Sequence, residues 1–216
     1  MANIDKSECS TTGPIDEGFA QQKWDSGNRY KGNYKNRKRN GQGTMFYNDG
    51  TYYIGEWVND SKNGWGEENF KSGNWYRGNH KNGSRDGLGT MFYNDGTRYI
   101  GEWAAGKKKG RGWEDFKSGN RYYGEYNDSK RAGQGMFFYT DGTTYVGTWV
   151  ENKKNGYGEE NFKSGNWYRG GHKDDKRHGD GIMFYNDGTK YIGAWVAGEK
   201  NGVGWEDFKS GNIYVG

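Results

Sequence analysis

The sequence predicts an all-β protein: an elongated single-sheet meander of stacked antiparallel β-hairpins with a 23-residue period. Three observations carry this. A tyrosine recurs at Tyr30, Tyr53, Tyr76, Tyr99, Tyr122, Tyr145, Tyr168, Tyr191 and Tyr214, always 23 residues on, with no insertion or deletion. A fixed period in this range marks a repeat array. Glycines hold fixed places within each period, two residues after the Tyr and again as a Gly-X-Gly, from Gly41 and Gly43 to Gly202 and Gly204. Between turn signals lie short segments rich in Tyr, Trp, Phe and Ile, which read as strands. Helix is disfavoured because glycine interrupts every candidate segment.

Composition agrees. Only 30% of residues are hydrophobic, too few for an ordinary globular core, yet 18% are aromatic and sit at fixed repeat positions. A thin aromatic core follows. A net charge of +4 is nearly balanced and does not point to nucleic acid. The single cysteine, Cys9, excludes an internal disulfide framework. No apolar run would cross a bilayer, and residues 1–16 lack the pattern of a signal peptide, so an intracellular, cytoplasmic protein is expected.

In chain order, residues 1–16 read as a flexible polar leader and 17–216 as the array. Residues 17–28 form a degenerate first strand and cap, because Trp24-Asp-Ser-Gly27-Asn28 matches the later Phe70-Lys-Ser-Gly73-Asn74. Eight full repeats follow, then a truncated last strand at 212–216. Two turns alternate. The tight turn is Asn-Asp-Gly or Lys-Ser-Gly. The other is polar, often basic, and expected to be wider, as in Lys35-Asn-Arg-Lys-Arg39. Neighbouring strands joined by such short connections pair antiparallel. A three-residue tight loop with Gly50 left-handed pairs Met45 with Tyr53, Gly43 with Gly55 and Gly41 with Trp57. This register is expected to lay the Trp ring over glycines. In Lys-Ser-Gly hairpins it pairs Glu67 with Arg77 and Glu159 with Arg169. The two hairpin kinds alternate, so the full unit is 46 residues.

The pattern Tyr-X-Gly-X-Trp, then Gly-X-Gly, an aromatic and Asp-Gly resembles the MORN repeat (membrane occupation and recognition nexus) over residues 17–216. His80 and His172 replace the Trp, and Tyr34 and Tyr126 do so conservatively. The resemblance implies a groove-bearing sheet of stacked hairpins. MORN arrays occur in radial spoke heads of motile cilia, junctophilins, some lipid kinases, a lysine methyltransferase and parasite cytoskeletal proteins.

No catalytic, metal or cofactor site is expected. Adjacent carboxylates such as Glu67 and Glu68 face opposite ways on a strand and recur with the repeat. No second His or Cys stands at metal-ligand spacing from His80 or His172. Three candidate surfaces remain. An aromatic and glycine face bearing Tyr53, Trp57, Tyr99, Trp103, Tyr145, Trp149, Tyr191 and Trp195 is expected to bind a partner segment. The turn edge with Arg37, Lys38, Arg39, Lys107, Lys108 and Lys109 is a candidate for acidic partners. The strand at Ile213, Tyr214 and Val215 is expected to present an open edge that meets another polypeptide. The opposite face should be two-toned, with Phe46, Ile54 and Val58 in Asp-Gly hairpins and charge in Lys-Ser-Gly hairpins. The expected function is a non-enzymatic scaffold binding other proteins, or a second copy of itself, in a large intracellular assembly such as the ciliary axoneme, closest to radial spoke heads. The alternative is a peripheral adaptor holding anionic membrane on its basic edge.

Overall fold

A computed structural model describes residues 15–208 and the backbone of 213–215. Most of the leader, with Cys9, and residues 209–212 and 216 lie outside the described residues. The chain divides into two compact units, Met1–Lys107 and Lys108–Gly216. The first is built from β1 (Glu17–Lys23), β2 (Arg29–Lys35), β3 (Lys38–Phe46), β4 (Tyr52–Val58), β5 (Ser61–Asn69), β6 (Trp75–Lys81), β7 (Ser84–Phe92) and β8 (Arg98–Ala104). The second is built from β9 (Lys107–Asp115), β10 (Arg121–Asn127), β11 (Lys130–Phe138), β12 (Thr144–Val150), β13 (Lys153–Asn161), β14 (Trp167–Lys173), β15 (Lys176–Phe184), β16 (Lys190–Val196), β17 (Glu199–Asp207) and β18 (Ile213–Val215). Within each unit every strand pairs antiparallel with the next in sequence.

The tight turn has the expected register. Gly41 opposes Trp57, Gly43 opposes Gly55 and Met45 opposes Tyr53. The Tyr47 N–H donates to the Thr51 carbonyl (2.9 Å) and the Gly50 N–H to the Tyr47 carbonyl (3.1 Å). Gly50 has φ 90°, the left-handed conformation that closes this loop. The Asp49 carboxylate accepts the Thr51 N–H and hydroxyl, at 2.9 and 2.7 Å, and so holds the loop shut.

The second turn corrects the expectation of a wide connection. Val58 pairs directly with Ser61, and the two residues between them, Asn59 and Asp60, have φ 48° and 68°. This is a two-residue type I′ turn, whose twist matches that of the flanking strands. Lys38 and Arg39 therefore belong to strand β3 and Lys35 to the end of β2, with Arg37 left in the turn, and strand side chains alternate between the two faces.

Each turn edge is tied across neighbouring hairpins. At the type I′ edge the Asp60 N–H donates to the Arg39 carbonyl (3.0 Å), and the Arg39 N–H donates back to the Asp60 carboxylate (2.9 Å). At the other edge the Asn48 N–H donates to the Asn28 side chain (2.8 Å) and the Asn94 N–H to the Asn74 side chain (2.9 Å). The second unit repeats this tie from Thr140 to Asn120 and from Asn186 to Asn166, both 2.9 Å. Each Asp-Gly turn is thus clasped to the turn before it.

The core is one row of tyrosines in each unit. Tyr30, Tyr53, Tyr76, Tyr122, Tyr145 and Tyr168 are fully buried. The Tyr53 ring crosses Gly55, two residues on, and its hydroxyl donates to the Glu56 carbonyl (3.0 Å). The same ring covers Gly66 on β5, where a Cβ would overlap it. The Tyr, not the Trp, therefore explains these glycines, which corrects the expected packing. Trp57 instead stands edge-on to Tyr30 and Tyr53, with ring centroids 5.5 and 5.2 Å away. Its Nε1–H donates to the Gly43 carbonyl (3.2 Å). Gly41, opposite Trp57, is left-handed (φ 91°), so the backbone and not the ring demands glycine there.

On the opposite face Ile54, Val58 and Ile100 in the first unit, and Val146, Val150, Ile192 and Val196 in the second, are exposed. Arg77 and Arg169 pair with Glu67 and Glu159 at 2.8 and 2.6 Å. The two-toned expectation was too simple. Lys-Ser-Gly hairpins also display Trp65 and Tyr157, and their Trp75 and Trp167 stack on Phe92 and Phe184 at 3.7 and 3.8 Å. Direct opposition across β6 and β7, and across β14 and β15, brings these rings together.

Candidate interaction groove

The aromatic face is made of two alternating kinds of cell, each organised by a cation. The second residue of each long strand points to this face. It is Arg39, Lys62 and Arg85 in the first unit, and Lys108, Arg131, Lys154, Arg177 and Lys200 in the second.

In the arginine cells the guanidinium lies over an indole. The distances are 4.3 Å for Arg39 on Trp57, 4.6 Å for Arg85 on Trp103, 4.4 Å for Arg131 on Trp149 and 5.2 Å for Arg177 on Trp195. Met45, Met91, Phe137 and Met183 supply the buried apolar side of these cells. A cation on a ring face is favourable by ~0.5–2 kcal/mol, more as water is excluded.

In the lysine cells a glutamate takes the Met position. Lys62 pairs with Glu68, Lys108 with Glu114, Lys154 with Glu160 (2.5 Å) and Lys200 with Glu206 (2.7 Å). The Trp place holds a residue that can serve the same carboxylate. Tyr126 donates to Glu114 (2.7 Å), and the Nε2 atoms of His80 and His172 lie 3.5 and 3.7 Å from Glu68 and Glu160. Burial alone would raise the pKa of Glu68 and Glu160. The neighbouring His and Lys overcome it and hold both carboxylates at about 2. Burial pushes the Lys108 ammonium below the usual lysine range, against the pull of Glu114. Burial acts likewise on Lys154, but Glu160 and Tyr139 outweigh it and raise that group.

Two of the arginine cells, those of Arg39 and Arg177, are open. In the second unit a cavity of about 590 Å³ is lined by Phe162, Arg177, Met183, Tyr185, Trp195 and Lys200. In the first unit a cavity of about 770 Å³ is lined by Trp24, Asn28, Tyr34, Arg39, Met45 and Asp60. The two occupy the same repeat position: Trp24, Arg39 and Met45 correspond to Phe162, Arg177 and Met183, 138 residues on. Each lies between a Ser-Gly turn and an arginine stacked on the core.

Tyr53, Trp57, Tyr99 and Trp103 lie together on the aromatic face of the first unit, and Tyr145, Trp149, Tyr191 and Trp195 on that of the second. All eight are at most 5% exposed. They form the floor of this face, and what remains open above them is the arginine and the aromatic after the Gly-X-Gly strand. The basic turn edge needs correction. Arg39 turns inward, ion-paired to Asp60 (3.0 Å), and Lys108 is buried against Glu114, because alternate strand residues face opposite ways. Arg37 pairs with Asp16. Lys38, Lys107 and Lys109 are exposed beside the turns. The backbones of Ile213, Tyr214 and Val215 pair with Asp207, Glu206 and Trp205; their side chains lie outside the described residues.

The repeating cation escaped notice in the sequence. Its signal was there: Arg at 39, 85, 131 and 177 alternates with Lys at 62, 108, 154 and 200. Reading these positions as parts of basic runs hid the period.

Comparison with known proteins agrees with this geometry. Eight consecutive stretches, residues 30–52, 53–75, 76–98, 99–121, 122–144, 145–167, 168–190 and 191–213, match the MORN repeat. No curated protein matches the chain in sequence. Among solved structures, the wild-type TCP10 domain of Danio rerio CPAP is 11% identical with a TM-score of 0.50, covering 89% of this chain and 91% of that one. The G-box domain of the microcephaly protein CPAP is 10% identical with a TM-score of 0.49, covering 92% and 98%. At such identity the first of these speaks to fold alone, a run of antiparallel hairpins. The family match spans most of the sequence, and the cells described above fall in step with it: the chain belongs to the MORN-repeat family.

Proposed function

We propose that the chain is a non-enzymatic scaffold that holds segments of partner proteins against its aromatic face, within a large intracellular assembly of the axonemal, radial-spoke-head kind. The observation that carries this is the recurrence of one open cavity, lined by an aromatic, an arginine and a methionine, at the same repeat position in both units. Concave apolar sites with a few placed polar groups are where ligands bind. The axonemal setting rests on the family resemblance. The membrane alternative has less support, because Arg39 and Lys108 turn away from the basic edge and Lys130 and Lys153 are tied to Glu151 and Asp174.

Site-specific photo-crosslinking in native cells tests the reading. A crosslinker at Phe70 or Phe162 should join the chain to a partner polypeptide, and one at Ile54 on the opposite face should not. Crosslinks formed from Ile54 alone would overturn it, and tagged chain found away from the axoneme would overturn the proposed setting.

A further inference from the structure

Resting on that docking surface, we propose that the docked segment is acidic as well as apolar, and that its carboxylates seat on the arginines of this face, with Arg85 the principal acceptor. The balance of charge on the aromatic face leads there. Every lysine of this face has its own glutamate, so the lysine cells are internally neutral. The arginines are served unevenly. Arg39 has the Asp60 carboxylate, Arg177 shares Glu160 with Lys154 (3.3 Å), and among the described residues the Arg131 guanidinium has only the Asn152 carbonyl (2.8 Å). The turn residue that answers to Asp60 and Asn152 is Gly106 in the Arg85 cell, and it brings no side chain.

Among the described residues no carboxylate or carbonyl accepts from the Arg85 guanidinium. It is half-buried over Trp103 (4.6 Å), with Tyr76 and Phe70 at 5.6 and 5.9 Å. A guanidinium carries its five N–H donors in one planar fork and accepts nothing. A planar fork held in this way suits bidentate capture of a carboxylate, and the ring floor limits competing water. The occupant is thereby specified: a carboxylate on a chain that also brings apolar side chains to the part-exposed Phe70 beside it.

Spacing separates a peptide from a lipid surface. Arg39 and Arg85 lie on β3 and β7 of the first unit, and Arg131 and Arg177 on β11 and β15 of the second. Four strand spacings are about 19 Å. A segment crossing the strands would meet one arginine in roughly six residues if extended, or roughly thirteen if helical. One acidic residue among many apolar ones fits a peptide, whereas an anionic bilayer presents dense charge.

The test is selection of a phage-displayed random 16-residue peptide library on the full chain. The best peptide is then measured by fluorescence anisotropy against wild type, Arg85→Gln, Arg85→Lys and Arg131→Gln, each checked for fold by circular dichroism. Enriched peptides should carry Asp or Glu beside Trp, Phe or Leu. Arg85→Gln should weaken binding at least tenfold and abolish its salt dependence, and Arg85→Lys should recover part of it. Should Arg85→Gln not fold, Arg85→Lys carries the test: a point charge without the planar fork should weaken binding severalfold, and unchanged binding would overturn the inference. Enriched peptides without acids, or acidic ones that bind both Gln variants like wild type, would overturn this inference and leave the docking surface standing. Displacement of the peptide by phosphatidylserine vesicles at equal charge would overturn the peptide as occupant. If no peptide were enriched, both readings would fall.

Discussion

Tyr53 lies flat across Gly66 on the next strand, and a Cβ at that glycine would sit inside the ring. Tyr30 stands in the same relation to Gly43. Gly43→Val should therefore drive Tyr30 from its slot and break its hydroxyl bond to the Asn33 carbonyl. Overpacking of this kind costs ~1–3 kcal/mol, and the loss should stay within neighbouring hairpins because repeats stabilise mainly each other. Urea unfolding of the variant checks this, and unchanged stability would refute the Tyr–Gly packing.

Acid should unfold the lysine cells first. Glu68 and Glu160 fall from the usual 4.5 to about 2 in the folded chain. A depressed carboxylate stabilises the fold above its unfolded pKa, and that gain disappears as pH drops from 4.5 to 2. Each contributes on the order of 3 kcal/mol at neutral pH. Tryptophan fluorescence followed through this window should show a transition that Glu68→Gln with Glu160→Gln flattens, at the cost of lower stability at pH 7.

Alkali acts through the tyrosine row. Burial, the largest influence on these phenols, raises Tyr168 to about 12 and Tyr53, Tyr76, Tyr122 and Tyr145 further. A raised phenol keeps its stabilising effect below the unfolded value near 10 and loses it as pH climbs through the folded value. Phenolate absorbance at 295 nm for these residues should rise together with loss of the β-sheet circular dichroism signal. A smooth titration centred at pH 10 with the fold intact would contradict the burial.

One turn residue is poorly chosen for its conformation. Ala197 has φ 52° and precedes Gly198, at φ 101°. Left-handed backbone suits Asn better than Ala. Ala197→Asn should raise stability by about 0.5–1 kcal/mol, read as a shift in thermal midpoint, and a lowered midpoint would count against the type I′ geometry.

The hairpin register was legible because glycines, unlike other residues, leave few ways to align two strands: Gly43 on Gly55 satisfies all of them together. What the glycines accommodate was not legible. Trp57 and Tyr30 are both large rings near Gly43, and spacing does not say which one bends back across it. The second turn was misread because conformation is not written in residues such as Arg37 or Glu151, which adopt φ 63° and 51° inside a two-residue loop. The arginine cells were missed for a related reason. Read as one basic run, Lys38 and Arg39 look alike, but a strand sends one to solvent and the other onto Trp57.

The clasps from Asn48 to Asn28 and from Asn94 to Asn74 give the array a parity. They recur every 46 residues and skip alternate turns, in phase with the exchange of arginine for lysine cells. Excising 23 residues would leave the backbone repeat seamless, yet it would set two like cells side by side and strand an asparagine without its mate. Excising 46 would leave every neighbour as it was. Length in such a chain changes by even steps, so a naturally shortened or lengthened relative should keep the alternation of Trp with His or Tyr unbroken.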